Sequence, residues 1–449
     1  MSLNGKKVLV AGAGKSGIGS VGLLQQKGAD VILYDGNKDL NVDELKLDSS
    51  KVSIVLGELT DELCESLDLC VISPGIPLDV PFVKKLEEHK VTIWGEIELA
   101  YRSAKGRLVG ITGTNGKTTT TALVGEIMKS YYESVFVVGN IGTPYALMAD
   151  KTNENSVTVA EMSSFQLESI IQCAPCVSAV LNITPDHLNR HKTMENYGEI
   201  KMRIAMNQKA DEYCILNYED EALVEYSKSI PCKPLFFSSK RKVENGLYLD
   251  EKGNIISTFG GKCDVLMNVS EMKLVGVHNA ENVMAAIAMS MVMNVPMDKI
   301  IDTVKNFNAV EHRIEYVANK NGVVYYNDSK GTNTDASIKA LEAMSKKTVL
   351  IAGGYDKGSE FDEWVEAFGD KVKCLVLIGV TAPKIAETAR KHGFTNIIMA
   401  KDLKEAVLES AKNAEDGEVV LLSPACASWD MFKSYEQRGD LFKQYVNEL

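Results

Sequence analysis

Apolar and polar positions come in blocks along this chain. Short runs rich in Val, Ile and Leu break off into glycine- or asparagine-rich turns, and a helix-length stretch usually follows. Lys6 to Ala11, Ala29 to Tyr34 and Leu69 to Ser73 open the series. The short apolar run that opens at Leu108, Val135 to Val138, Ser156 to Ala160, Val177 to Leu181 and Tyr213 to Leu216 continue it. Val323 to Tyr326, Thr348 to Ala352, Cys374 to Ile378 and Val419 to Leu422 close it. Continuous apolar runs of this length suit strands buried on both faces, and their alternation with helices predicts mostly parallel sheets. The stretch from 220 to 272 differs, with short apolar runs between Gly and Asn turns. It reads as β-hairpin structure turning at Lys252-Gly253-Asn254. Asn196 to Asn207 reads as a helix. The run V-M-A-A-I-A-M-S-M-V-M after Asn282 reads as a long helix whose methionines fill core.

The length of 449 residues allows about three domains. The pattern divides them at 1–96, 97–309 and 310–449. The fold class expected is α/β: a Rossmann-like N-terminal domain, a central P-loop ATPase-like domain with a mostly parallel sheet, and a second Rossmann-like domain at the C-terminus. Composition, 45% hydrophobic and 24% charged, is that of globular domains with ordinary cores. A net charge of -12 argues against a nucleic-acid or anionic-membrane partner. No apolar run is long enough to predict a membrane span. Nine cysteines without a disulfide framework fit a reducing, cytoplasmic setting, and Cys173-Ala-Pro-Cys176 has no second ligand pair to make it a zinc site.

Chemistry concentrates at the run ends. Leu108 to Thr121 reads L-V-G-I-T-G-T-N-G-K-T-T-T-T, the order of strand, phosphate-cradling loop and helix start. Backbone N–H groups of such a loop face an anion, Lys117 reaches outer phosphates, and the Thr118 hydroxyl holds Mg²⁺. The full P-loop pattern has glycine where this chain has Ile111, so the loop is a shortened form. Glu161, directly after a buried-type run, is the best carboxylate for Mg²⁺, which takes oxygen ligands. His187 ends the next run and is either a ligand or a structural histidine. At the N-terminus, Gly12-x-Gly14-x-x-Gly17 and Asp35 suit either a nicotinamide dinucleotide or a UDP-sugar. Ser73-Pro74-Gly75-Ile76-Pro77 follows a strand where α/β folds bind ligands.

G-T-N-G-K-T-T, G-N-I-G, E-M-S-S-F-Q-L-E, N-I-T-P-D-H-L-N-R-H, H-N-A-E-N, E-H-R, N-D-S-K-G-T-N and L-L-S-P-A-C-A-S-W-D-M-F together resemble the Mur ligases of peptidoglycan synthesis. They run in family order over nearly the whole chain, and the shortened loop is normal in that family. The resemblance is strongest to its D-glutamate-adding branch. It implies an ATP-dependent ligase joining D-glutamate to UDP-MurNAc-L-Ala through an acyl phosphate, with two Mg²⁺ sites; a monomer is expected. It implies that Gly113, Thr114, Asn115, Gly116, Lys117, Thr118 and Thr119 cradle ATP phosphates, with Asn279, Asn282, Arg313 and Asp328 holding the nucleotide. It implies Mg²⁺ at Thr118, Glu161 and His187, and a carbamylated Lys201 helping to hold the second ion. Asn140 and His187 would lie near the muramoyl group. Lys15, Ser16, Asp35, Ser73 and Gly75 would contact UDP. Thr332, Lys357, Ser428 and Tyr435 would grip D-glutamate. Because the nucleotide contacts fall in two segments, catalysis would need the domains to close.

Overall fold

The computed structural model describes residues 2–45, 47, 51–140, 142–308, 310–355 and 358–449. Lys357 thus lies outside the described residues. Three sheets account for the strands, one per predicted segment. The first contains Lys7–Ala11 (β1), Asp30–Asp35 (β2), Val52–Leu56 (β3), Leu69–Ile72 (β4) and Thr92–Gly95 (β5), in the order β3-β2-β1-β4-β5. All its pairings are parallel. The order reverses between β1 and β4, the switch point where a crevice opens at strand C-termini.

The second sheet contains Arg107–Thr112 (β6), Val135–Gly139 (β7), Val157–Glu161 (β8), Val177–Val180 (β9), Tyr213–Asn217 (β10), Lys233–Ser238 (β11), Gly246–Leu249 (β12), Asn254–Ser257 (β13) and Asp264–Asn268 (β14). Its order is β14-β13-β12-β11-β10-β9-β6-β8-β7. It is parallel from β7 through β12 and antiparallel where β13 joins β12 and β14. The predicted hairpin is therefore β12–β13. Asn254 belongs to its second strand rather than its turn, and Gly253 supplies the left-handed backbone there with φ +79°. The third sheet contains Glu315–Lys320 (β15), Val323–Asn327 (β16), Thr348–Ala352 (β17), Val372–Leu377 (β18), Ile397–Met399 (β19) and Val419–Leu422 (β20), ordered β15-β16-β20-β17-β18-β19. Only β15 runs antiparallel. β5 and β15 mix polar with apolar positions, whereas β3 and β19 are short apolar stretches at half-exposed sheet edges; none of the four is among the predicted runs.

The chain packs as two compact units. Met1–Val269 with Glu281–Lys305 forms one, and Ser270–Ala280 with Asn306–Leu449 the other. In the first, the helix Lys15–Gln26 packs against the helix Ala146–Ala149, and one apolar core runs from Val8 and Val10 through Trp94 and Leu99 to Val180 and Leu216. In the second, apolar layers cover both faces of the third sheet, one built on Trp364 and Phe368, the other on Phe442 and Val446. The helix Val277–Val292 begins before Asn279. Asn279 is therefore inside the first turn, where its Nδ2 donates to the Val275 carbonyl at 2.8 Å.

Candidate active site

The phosphate loop leaves β6, and β6 lies between β8 and β9. Parallel register places Glu161, the last residue of β8, beside Ile111. The residues after β9 come up on the other side of the loop. Strand order thus brings the loop, Glu161 and the 182–187 turn to one sheet end. The loop is stitched to that turn. Thr114 N–H donates to Asn182 O at 2.9 Å, Asn115 N–H to Asn182 Oδ1 at 2.8 Å, and the Thr114 hydroxyl bonds Thr184 O at 3.1 Å. Gly116 has φ +82°, and a Cβ there would meet Asn282 Oδ1 at 2.2 Å. Asn282 therefore packs directly on the loop's tightest turn. The helix Lys117–Lys129 follows at once, with Thr118 and Thr119 buried at its start. Lys117 Nζ donates to the carbonyls of Gly113 at 2.8 Å and Thr114 at 2.7 Å, folding its ammonium over the loop.

Glu161 is buried. Its Oε1 accepts from Asn140 Nδ2 at 2.9 Å, and its Oε2 has no hydrogen-bond donor among the described residues. A buried carboxylate oxygen without a donor is uncommon in folded proteins and fits a position for a hard cation. Lys201, in the helix Met194–Met202, is also buried and donates to the same Gly113 carbonyl as Lys117, at 2.8 Å. Its Nζ lies 4.4 Å over the Tyr197 ring. Burial first, and then the neighbouring Lys117 charge, push the Lys201 amine well below its ordinary value. His187 has a left-handed backbone, φ 54°, its ring centroid 4.8 Å from that of Phe165 in an edge-on arrangement and its Nε2 3.6 Å from Asp186 Oδ2. Nearby His191 is held neutral: burial lowers it to about 4, and its Nε2 bonds the Ser164 hydroxyl at 2.9 Å.

In the first sheet, Lys15, Ser16, Asp35, Ser73 and Gly75 all line one cavity of about 500 Å³ at the switch point. Asp35 braces the glycine turn, accepting Ala13 N–H at 3.0 Å and Asn37 N–H at 2.9 Å. Gly17 allows the close approach there, since a Cβ would sit 1.8 Å from the Gly12 carbonyl.

In the second unit, β16, β20 and β17 are adjacent, so the turns after Asn327, Leu422 and Ala352 meet at one edge. Asp328 is fully buried and burial raises it to about 6, opposed by Arg313 Nη1 at 3.7 Å and the Ser423 hydroxyl at 2.8 Å. Ser428 is buried, and its carbonyl accepts N–H from Met431 and Phe432. Thr332 is half-buried after β16. Tyr435 opens the helix Tyr435–Asn447, its ring 5.2 Å from Lys330 Nζ and its carbonyl accepting from the Ser329 hydroxyl at 2.8 Å. Glu311, His312 and Asp440 also have metal-ligand spacing, but Lys443 forms ion pairs with Glu311 and Asp440.

Several residues of this framework escape sequence reading. Asn182 and Tyr197 fix the loop, and Asp220 Oδ2 accepts Ile183 N–H at 2.7 Å. Arg438, fully buried, spans Ser329 and the carbonyls of Cys426 and Ala427. A charged residue on a helix gives no sign of burial until the sheet that covers it is in place.

Family models match in the same order as the three sheets. The MurD-like N-terminal domain of Mur ligases matches residues 6–95, the Mur ligase middle domain 111–290, and the Mur ligase glutamate ligase domain 312–426. A UDP-N-acetylmuramoylalanine–D-glutamate ligase of Lachnoclostridium phytofermentans is 56% identical, covering 100% of this chain and 99% of its own. A second of that name, from Lachnospira eligens, is 55% identical over 100% of both chains. Among solved structures, UDP-N-acetylmuramate-alanine ligase of Thermotoga maritima shares the fold at a TM-score of 0.62 and 18% identity, with 99% of each chain covered. MurF ligase of the same organism, solved with ADP, does so at 0.62 and 19%, over 99% of this chain and 96% of its own. A phosphate loop flanked by Glu161 and the 182–187 turn, three matched segments in order, and full-length relatives sharing over half their residues agree: the chain belongs to the Mur ligase family.

Proposed function

We propose that this chain joins D-glutamate to UDP-N-acetylmuramoyl-L-alanine, converting ATP to ADP and phosphate. The phosphate loop between Glu161 and Lys201 carries the ligase chemistry. The choice of D-glutamate rests on the full-length relatives that bear that activity in their names. A nicotinamide dinucleotide at Gly12-x-Gly14-x-x-Gly17, and with it hydride-transfer chemistry, would explain the first sheet alone and leave the phosphate loop without a role. We retain 1–96, 97–309 and 310–449 as the functional division into UDP-, ATP- and amino-acid-binding parts. The cytoplasm suits the reading, since all nine cysteines are free thiols. We take the chain to work as a monomer.

A carboxylate cannot acylate an amine directly, because oxide would have to leave. The γ-phosphoryl therefore passes to an alanyl carboxylate oxygen, and its bond to ADP breaks. The deprotonated amine of D-glutamate attacks the acyl carbon, and the bond to phosphate breaks. Gly113 to Thr119 supply N–H groups and hydroxyls to the phosphates. Lys117 exchanges its two loop carbonyls for phosphoryl oxygens, offsetting charge where positioning and electrostatics dominate. Asn282 holds the loop turn, and Asn279, Arg313 and Asp328 hold the rest of the nucleotide. Lys15, Ser16, Asp35, Ser73 and Gly75 bind UDP in their shared cavity, and Asn140 and His187 face the muramoyl part. Thr332, Ser428, Tyr435 and Lys357 receive D-glutamate.

Thr118, the donorless Oε2 of Glu161, His187 and Lys201 fit two Mg²⁺ sites. Bound there, the ions offset the repulsion between the anionic carboxylate and the anionic phosphate. Lys201 fits as a carbamate because a depressed, neutral amine can add CO₂, forming an N–C bond and releasing a proton. The test is phosphate release with UDP-MurNAc-L-Ala and ATP against a panel of D- and L-amino acids. Release that depends on D-glutamate is expected. Release with another amino acid, or none, removes this reading.

A further inference from the structure

We propose that Arg190 is a positioning residue that sets the register between the UDP-binding turn and the His187 side of the metal site. The inference rests on the functional reading above. Arg190 lies three residues beyond His187, in the short helix Leu188–His191. Its side chain is 12% exposed. Nη1 donates to Pro74 O at 2.9 Å and Nη2 to Ile76 O at 3.0 Å. Nε and Nη2 also bond the two oxygens of Glu168, at 3.1 and 2.5 Å. The guanidinium stacks 4.3 Å above the Phe165 ring, and that ring meets His187 edge-on at 4.8 Å. One side chain therefore bonds both the Ser73–Ile76 turn lining the cavity and Glu168, which follows the short helix Ser164–Leu167, and reaches His187 through the Phe165 ring.

Glu168 balances the charge of Arg190, so its role here is geometric. The planar fork reaches two carbonyls and a carboxylate at once, which a lysine ammonium cannot do. The turn it grips is otherwise closed by its own Ile76 N–H to Ser73 O bond at 3.0 Å. The UDP substrate is long, with its recognised nucleotide at one end and its reacting carboxylate at the other. Fixing the turn against His187 fixes where that carboxylate arrives, and small misplacements of a reacting group cost rate steeply.

The test compares Arg190→Lys and Glu168→Gln with the parent enzyme. UDP-MurNAc-L-Ala binding is titrated calorimetrically without ATP, and KM for each substrate, kcat and the thermal midpoint are measured. Arg190→Lys is expected to weaken UDP-MurNAc-L-Ala binding about tenfold, through two lost hydrogen bonds, and to lower kcat. KM for ATP and D-glutamate should stay within about twofold, again by that scale. Glu168→Gln, which keeps both carbonyl contacts, should bind the UDP substrate nearly as the parent does. Unchanged binding in Arg190→Lys overturns the inference. So does a uniform rise in all three KM values with a fallen midpoint, or an equal loss in Glu168→Gln. A parent enzyme that fails to bind UDP-MurNAc-L-Ala would instead remove the functional reading, which separates the two failures.

Discussion

At Lys201, burial and a neighbouring cation change what an ordinary lysine can do. Two amines share the Gly113 carbonyl, and the buried one is driven toward its neutral form. In the carbamate reading, Lys201→Ala should lose activity and regain part of it with millimolar formate or acetate. Intact-mass measurement under CO₂ should show an adduct on the parent that the variant lacks; no adduct and no rescue would end the idea. Glu96 is the second residue whose surroundings set its chemistry. Its Oε1 accepts Ala146 N–H at 2.6 Å, and burial raises it from 4.5 to about 7. The folded state thus holds a proton that the unfolded state releases, so Glu96 stabilises at low pH and loses that contribution as pH rises from 4.5 to about 7. Asp328 acts in the same sense, while the lowered His191 and His278 destabilise the fold as pH falls below 6.5. Comparing the parent with Glu96→Gln isolates one term. The parent should lose up to about 3 kcal/mol relative to the variant across that window, read by urea unfolding at several pH values. A difference that does not change with pH would reject the assignment.

At the scale of elements, the strand–loop–helix from β6 to Lys129 was legible residue by residue. An apolar strand, two glycines, a lysine and hydroxyls are all local signals. Its supports were not. Asn182 and Asn282 lie far along the chain and reach the loop only because β9 neighbours β6 and the helix Val277–Val292 packs there. Gly116 shows the joint demand, needing both left-handed backbone and room beside Asn282. Gly116→Ala should cost about 1–2 kcal/mol from the backbone alone. It should also raise KM for ATP more than KM for either other substrate. Thermal unfolding and steady-state kinetics check this, and an unchanged KM for ATP would mean the loop tolerates the shift. The C-terminal turns give the same lesson through Arg438. It escaped the sequence reading because its burial depends on helix Tyr435–Asn447 covering the third sheet.

For the whole molecule, the proposed nucleotide contacts divide between the compact units. Lys117 and Asn282 belong to one, and Asn279, Arg313 and Asp328 to the other. Turnover in this reading draws on residues of both, so Arg313→Ala should raise KM for ATP as Asn282→Ala does, with KM for UDP-MurNAc-L-Ala little changed. Steady-state kinetics check this, and a parent-like KM for ATP in either variant would contradict the division of contacts. The sequence by itself determined the α/β class, the three-segment order, the phosphate loop and the family. Each of these is written in local periodicity or contiguous motifs. Only the tertiary structure decided that the five UDP candidates share one cavity, that Glu161 keeps an oxygen without a donor among the described residues, and that Lys201 is a buried amine beside another cation. It also showed Arg190 bonded to the Ser73–Ile76 turn. Burial, desolvation and charge proximity arise from strand order, which joins residues that the chain keeps far apart.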